Sequence, residues 1–209
     1  MGKPFLISVV TILLCLRLSI MPLPWLVTAY SSNLTDQSTL LAFKARILLY
    51  DPHNILAYNW TTSSSFCNGM GVSCSHRRQR VTALKVANMG IGGTIEPRLC
   101  NLSFLAQLDL SNNSFQGHLP NGIGQLARLR RIDLSWNQLD RMIPPNLSNC
   151  RKLEEISLSV NQLTGGVPRE IGMLPNLRIL ATTNNGLNGT ILVSMGNLSS
   201  LQVFAFRTC

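Results

Sequence analysis

The stretch LAQLDLSNNSFQGHLPNGIGQLAR opens at Leu105, and a variant of it, LRRIDLSWNQLDRMIPPNLSNCRK, opens 24 residues later at Leu129. The same phase falls on Leu153, Leu177 and Leu201, and Val81 opens an earlier copy. Each copy keeps apolar residues three and five places on, as in Leu108 and Leu110, Ile132 and Leu134, Ile156 and Leu158. Asparagine stands eight places on (Asn113, Asn137, Asn161, Asn185), followed by Phe115, Leu139, Leu163 or Leu187 at ten. An apolar residue and a proline close most copies: Leu119-Pro120, Ile143-Pro144, Val167-Pro168. A local apolar period of 2 inside this long repeat predicts short strands with one buried face and excludes amphipathic helices, whose period is 3.6. One such unit cannot bury its leucines alone, so copies must stack, each against its neighbours. Asparagine carries both donors and an acceptor, so a buried one can satisfy the backbone of the turn that follows each strand. Proline suits a segment whose N–H the main ladder does not use. The expected fold is an α/β repeat solenoid, a right-handed coil with parallel strands on its concave face. It has about five copies over residues 80–209, the last incomplete. Met89, Arg141, Thr182 and Leu192 break the pattern at, respectively, an asparagine, a glycine, a strand-leucine and a proline position.

The chain begins with a secretory pattern. Lys3 precedes the apolar run Phe5–Leu16, which is too short to span a bilayer, and Val27 and Ala29 are small residues at cleavage positions. Residues 1–29 therefore read as a signal peptide cut at Ala29/Tyr30. An uncleaved anchor is the alternative, opposed by Arg17, Pro22 and Pro24. Either way the rest leaves the cytosol, for the apoplast or the outer face of the plasma membrane. Beyond Cys15, the near pair Cys67 and Cys74 is the natural disulfide, with Cys100, Cys150 and Cys209 left over. Cys100 and Cys150 lie about two repeats apart, roughly 10 Å at a strand spacing of ~4.8 Å, so they are expected to stay unbonded. Sequons at Asn33, Asn59, Asn101, Asn112, Asn146, Asn188 and Asn197 are glycosylation candidates. The net charge is +9 with scattered cations. Arg77, Arg78 and Arg80 form the one sequence cluster, which reads as a solvated loop rather than a nucleic-acid surface.

Residues 30–79 read as an end cover for the first core layer. Thr35 and Asp36 are N-cap candidates for a helix with the stripe Leu40, Phe43, Ile47 and Leu48, and Pro52 is placed to open a further short turn. FCNGMGVSC followed by RVTALKV predicts a strand pair. The repeat matches L-x-x-L-x-L-x-x-N-x-L, the leucine-rich-repeat pattern, and GHLP and GGVP resemble the plant-specific subtype. LLAFK, NW, FC…GVSC and RVTAL resemble the N-terminal cap of plant leucine-rich-repeat receptor-like kinases and receptor-like proteins. NLSFL and LSNC are similar to the branch that contains innate-immunity receptors. In that cap a tryptophan usually stands two residues after the first cysteine. Here Gly69 does, which implies a lost packing side chain worth ~3 kcal/mol that Trp60 and Trp136 do not replace.

No kinase loop, nucleophile elbow or metal spacing occurs among these residues. Asp109 and Asp133 stack as neighbours on a solvated face, so no enzyme, cofactor or metal site is expected. The resemblance implies an extracellular recognition module, the N-terminal part of a receptor-kinase ectodomain. It would bind a peptide, microbial or cell-wall ligand for signalling or defence, with a peptide or protein ligand and a co-receptor as partners and no nucleic acid. The alternative is a secreted inhibitor of cell-wall-degrading hydrolases. Ligand contacts are expected from the outward strand residues Gln107, Asp109, Ser111, Arg131, Asp133, Ser135, Trp136, Glu155, Ser157 and Val160. Trp136 is the anchor among them. The last copy stops at Cys209, so Leu201, Phe204 and Phe206 are expected to end the core, and the chain reads as a truncated receptor whose membrane association needs a missing C-terminal part or an uncleaved N-terminus.

Overall fold

The computed structural model describes residues 24–47, 51, 56, 59–61, 64–188, 196 and 198–206, with side chains from residue 34. Residues 1–23, Leu48, Pro52, Leu192 and the sequon at Asn197 lie outside the described residues, as does the side chain of Asn33.

A helix, α1 (Pro24–Ile47), precedes the coil. Two strands follow, β1 (Val72–Cys74) and β2 (Val81–Lys85), and pair antiparallel. Each later copy contributes one strand to a single ladder: β4 (Gln107–Asp109), β6 (Arg131–Asp133), β8 (Glu155–Ser157), β10 (Ile179–Ala181) and β12 (Val203–Ala205). The seven-stranded order is β1-β2-β4-β6-β8-β10-β12, parallel from β2 onward. Its register advances one sequence period per rung: Leu84, Leu108, Ile132, Ile156, Leu180 and Phe204 stand side by side. The leucine positions of the repeat are buried in one continuous core as far as Leu187.

A second parallel sheet was not legible in the repeat. It comprises β3 (Gly92–Thr94), β5 (Ser114–Gly117), β7 (Gln138–Arg141), β9 (Gln162–Gly165) and β11 (Gly186–Leu187), in the order β11-β9-β7-β5-β3. Here partners are offset by two residues from the first ladder, so Gly117 pairs with Leu139 and Arg141 with Leu163. Side chains alternate with period 2 along a strand, so a slip of two leaves every residue on its own face. Phe115, Leu139, Leu163 and Leu187 therefore stay inside. Gly117 and Gly165 end β5 and β9 at positive φ, Gly93 takes positive φ within β3, and Arg141 ends β7 in the same region at φ 63°, which disfavours a side chain with a Cβ. Short 3-10 turns close the coils at Pro97–Asn101, Asn121–Gln125, Pro145–Asn149 and Arg169–Met173.

The asparagine ladder is built as expected. Asn137 accepts from the Phe115 N–H at 2.9 Å and donates to the Leu110, Leu134 and Ser135 carbonyls. Asn161 and Asn185 repeat this one and two turns on, accepting from the Leu139 and Leu163 N–H groups. Asn113 accepts from the N–H groups of both Met89 and Ile91, so the first copy is served without an asparagine of its own.

Three expectations for the cap need correcting. Thr35 and Asp36 do not cap α1. They lie inside it, and Asp36 is wholly buried. Its carboxylate accepts from the Arg80 Nε and Nη2 at 2.8 Å and from the Val81 N–H at 2.8 Å. Arg80 is thus no part of a solvated loop: it is 8% exposed, with Arg77 and Arg78 left outside. Nor is the cap short of a tryptophan. The Trp60 ring lies over Gly69, where an added Cβ would sit 3.0 Å from Trp60 Cδ1. Its Nε1 donates to the Met70 carbonyl, and Phe43 links it to the repeat core, with ring centroids 6.2 Å from Trp60 and 5.9 Å from Phe115. The stripe Leu40, Phe43 and Ile47 is buried as expected. Close docking of α1 needs Gly93, since a Cβ there would meet the Arg46 carbonyl at 2.4 Å. Among the described residues no helix is long and apolar enough to cross a membrane.

Cys67 and Cys74 are bonded, with Cα atoms 5.5 Å apart. Cys100 and Cys150 are free and buried. Burial pushes the Cys100 thiol up to about 11 and the Cys150 thiol up to about 12, so both are inert thiols at neutral pH. At the far end Leu201, Phe204 and Phe206 pack partly buried against the core.

Thr182 occupies the place that Leu110, Leu134 and Leu158 hold in other turns. It is fully buried and its hydroxyl has no partner among the described residues. Thr182→Leu is expected to raise the unfolding free energy by ~1–3 kcal/mol, by removing an unpaired buried hydroxyl and adding apolar contact. Urea titration of both proteins measures it, and an unchanged or lowered midpoint would mean the hydroxyl is paired or the site too small.

Candidate ligand-recognition surface

The outward positions of the first sheet converge on an open hollow of about 170 Å³ lined by Lys85, Gln107, Asp109, Arg131, Asp133 and Glu155. The ladder places them in two rows. Gln107, Arg131 and Glu155 stand opposite one another, and beside them run Lys85, Asp109, Asp133 and Ser157. Charges of both signs therefore meet on adjacent rungs, and Arg131 Nε lies 3.8 Å from Glu155 Oε2. The pair is partly solvated and contributes little to stability, so its side chains remain free to exchange this contact for a ligand. Asp109 and Asp133 are half committed. Oδ1 of Asp109 accepts from the N–H and hydroxyl of Ser111, and Oδ1 of Asp133 from those of Ser135. These bonds fix the carboxylates and leave the second oxygen of each for the hollow.

Of the ten residues predicted to contact ligand, the structure brings Gln107, Asp109, Arg131, Asp133 and Glu155 to this hollow, with Ser157 on the same row. It does not bring Ser111, Ser135, Trp136 and Val160 there. Ser111 and Ser135 follow the strands and spend their hydroxyls on the aspartates, and Ser135 is buried. Trp136 and Val160 lie on the rim, in the turn between the two sheets. Lys85 was missed, because the first copy carries fewer of the repeat's marks. Its place one period before Asp109 was the available signal.

The rim turn has a conformational signature. Asn88, Asn112, Trp136, Val160 and Asn184, one per copy, all have φ between 51° and 58°. Asparagine tolerates this left-handed region, whereas a β-branched or bulky residue there is a rare exception. Trp136 is also 60% exposed. Among the described residues no group of three or more His, Cys, Asp or Glu is placed to hold a metal ion. The surface supplies hydrogen bonds, charge of both signs and one aromatic face, which are the means of recognition.

Residues 33–75 match the family Leucine rich repeat N-terminal domain, and residues 104–126, 128–150 and 152–174 match Leucine Rich Repeat. The chain belongs to the leucine-rich-repeat family, with the fold of a receptor ligand-binding module. Its relatives include plant receptor-like kinases. It is 43% identical over 93 residues to the LRR receptor-like serine/threonine-protein kinase EFR of Arabidopsis thaliana, a match covering 44% of this chain and 9% of that one. It is 40% identical over 82 residues to the receptor kinase-like protein Xa21 of Oryza sativa subsp. japonica, covering 37% and 8%. The chain thus spans under a tenth of the length of these relatives. Among solved structures, the BIR2 ectodomain from Arabidopsis thaliana is 32% identical with a TM-score of 0.71, over 81% of this chain and 94% of that one. The Arabidopsis receptor kinase HAESA, in complex with the peptide hormone IDA and the co-receptor SERK1, is 30% identical with a TM-score of 0.75, over 82% and 29%.

Proposed function

We propose that this chain is an extracellular recognition module of the plant receptor-kinase type that binds a peptide or protein ligand across the charged hollow and the Trp136 rim, together with a co-receptor ectodomain. The likeness to HAESA, solved with a peptide hormone and a co-receptor, supports the ligand class. The observation that carries the reading is Trp136. A large aromatic stands exposed in a backbone conformation where Asn88, Asn112 and Asn184 stand in other turns. Packing does not select it, and the backbone disfavours it. Strain of this kind persists where a side chain serves a function, and exposed tryptophans are enriched among binding hot spots.

The test is Trp136→Asn, which installs the residue of the neighbouring turns. A displayed library of secreted plant peptides is panned against both proteins, and affinities of the recovered peptides are measured by titration. The wild type is expected to enrich a peptide family that Trp136→Asn binds at least tenfold more weakly, a loss of ~1.4 kcal/mol or more. The unfolding midpoint is expected to stay level or rise, since asparagine suits the turn. Equal affinity of the two proteins for the enriched peptides would remove Trp136 from the ligand surface.

A further inference from the structure

The surplus positive charge of this chain is not scattered in space. Phe104, Arg128, Lys152, Asn176 and Ser200 are equivalent positions of successive copies, and Arg130, Glu154, Arg178 and Gln202 form a second such series two places on. Both series face the edge of the first sheet at the N-terminal ends of its parallel strands. Glu154, Asn176, Arg178, Ser200 and Gln202 there line one open depression. Arg128, Arg151, Lys152 and Arg178 on this edge are all exposed, and Arg77 and Arg78 extend it onto the cap. Arg78 lies 5.5 Å, the Asp36-paired Arg80 4.8 Å and Arg128 3.9 Å from the centroid of the Phe104 ring. Among the described residues none of these six forms an ion pair. The seventh cation, Arg130, pairs with Glu154, the one carboxylate of the edge. Seven cations against one carboxylate leave a surplus of six, out of nine for the whole chain. The remaining carboxylates stand elsewhere: Asp36 and Asp51 in the cap, Asp109, Asp133 and Glu155 in the hollow, Asp140 on β7, and Glu96 and Glu170 on the closing turns.

We propose that this edge binds an acidic polysaccharide, a polyuronate chain lying along the stack. Arg80, the third guanidinium on the Phe104 ring, already has Asp36 as its anion, whereas Arg78 and Arg128 have none among the described residues, and the ring face holds these two in place at reduced entropic cost. Copies advance by one strand spacing, ~4.8 Å. A polyuronate carries one carboxylate per sugar ring, a repeat of that order, so a linear chain presents charge to one rung after another. A lipid surface fits less well. The exposed apolar side chains Trp136, Met142, Met173 and Val203 belong to other positions of the repeat, and none lies in either basic series. The edge is separate from the concave hollow and from the Trp136 rim, so the inference stands or falls apart from the peptide-binding reading.

The test titrates the whole chain, expressed through a secretory pathway, with a size-defined oligogalacturonate, with the same oligomer methyl-esterified, and with vesicles containing phosphatidylserine. The oligogalacturonate is expected to bind, with affinity falling as salt rises, and the ester and the vesicles to bind at least tenfold more weakly. A variant carrying Arg128→Gln, Arg151→Gln and Lys152→Gln is expected to lose about tenfold or more in affinity and to show a shallower salt dependence. Arg98→Gln with Arg169→Gln, which removes the same kind of charge from the closing turns, should bind as the wild type does. Thermal unfolding of each variant checks that these exposed substitutions leave the fold intact. Binding of the ester as tight as that of the acid, equal loss in the control variant, no loss in the edge variant, or tighter binding to vesicles would each overturn the proposal.

Discussion

Asp36→Ala is expected to cost about 3–5 kcal/mol of unfolding free energy, the range for breaking a buried ion pair from one side. Asp36 is fully buried and Arg80 is 8% exposed. The carboxylate takes two guanidinium hydrogen bonds and the Val81 N–H, and among the described residues Ser103 Oγ, at 3.0 Å, and the Phe104 ring face, but no anion, would remain for Arg80. The pair ties α1 to the first strand of the repeat sheet, so its loss should release the cap from the core layer it covers. Removing both charges is different in kind. Asp36→Leu with Arg80→Met leaves no orphaned charge and should recover a large part of the loss. Denaturant titration of the two proteins against the wild type measures both effects. A cost below ~1 kcal/mol for Asp36→Ala would place the pair in solvent.

Asn137→Ala should be nearly as damaging, about 3 kcal/mol. It strips a donor from the Leu110, Leu134 and Ser135 carbonyls and the acceptor from the Phe115 N–H, inside a coil where no other polar side chain replaces it. Asn137→Asp separates shape from chemistry. A carboxylate can still accept from Phe115 but cannot donate to three carbonyls, so it should cost as much as alanine or more. Asn112→Ala, on the preceding turn, removes an exposed bond to Asn88 and places alanine at φ 51°, so it should cost about 1 kcal/mol, well below the loss at Asn137. Equal effects at positions 112 and 137 in the same denaturant experiment would show that the ladder does not carry the coil.

The contrast between these two sites separates what the sequence alone determined from what the tertiary structure decided. The period of 24, the buried leucines, the asparagine ladder, the β1–β2 pair, the Cys67–Cys74 bond and the free Cys100 and Cys150 were all legible. In each case a local pattern repeats in register, or two residues lie close along the chain, so neighbours in space follow from neighbours in phase. The partner of Asp36 could not be found this way. Arg80 is 44 residues further on, and the local wording around Thr35 and Asp36 reads as a helix start. Trp60 over Gly69 is a similar case, an aromatic supplied from outside the motif in which one was missing. The second sheet escaped because Ser114–Gly117 and Gln162–Gly165 each hold a single apolar residue, and their hydrogen bonds exist only once copies stack. The half-filled candidate surface has the same cause. Alternation along a strand placed Gln107, Asp109, Arg131, Asp133 and Glu155 in the hollow, whereas Trp136 and Val160 were sent to the rim by a left-handed turn that the letters do not show. Cations spread over a hundred residues of sequence became one edge for the opposite reason, because stacking brings the same position of every copy to the same side of the coil.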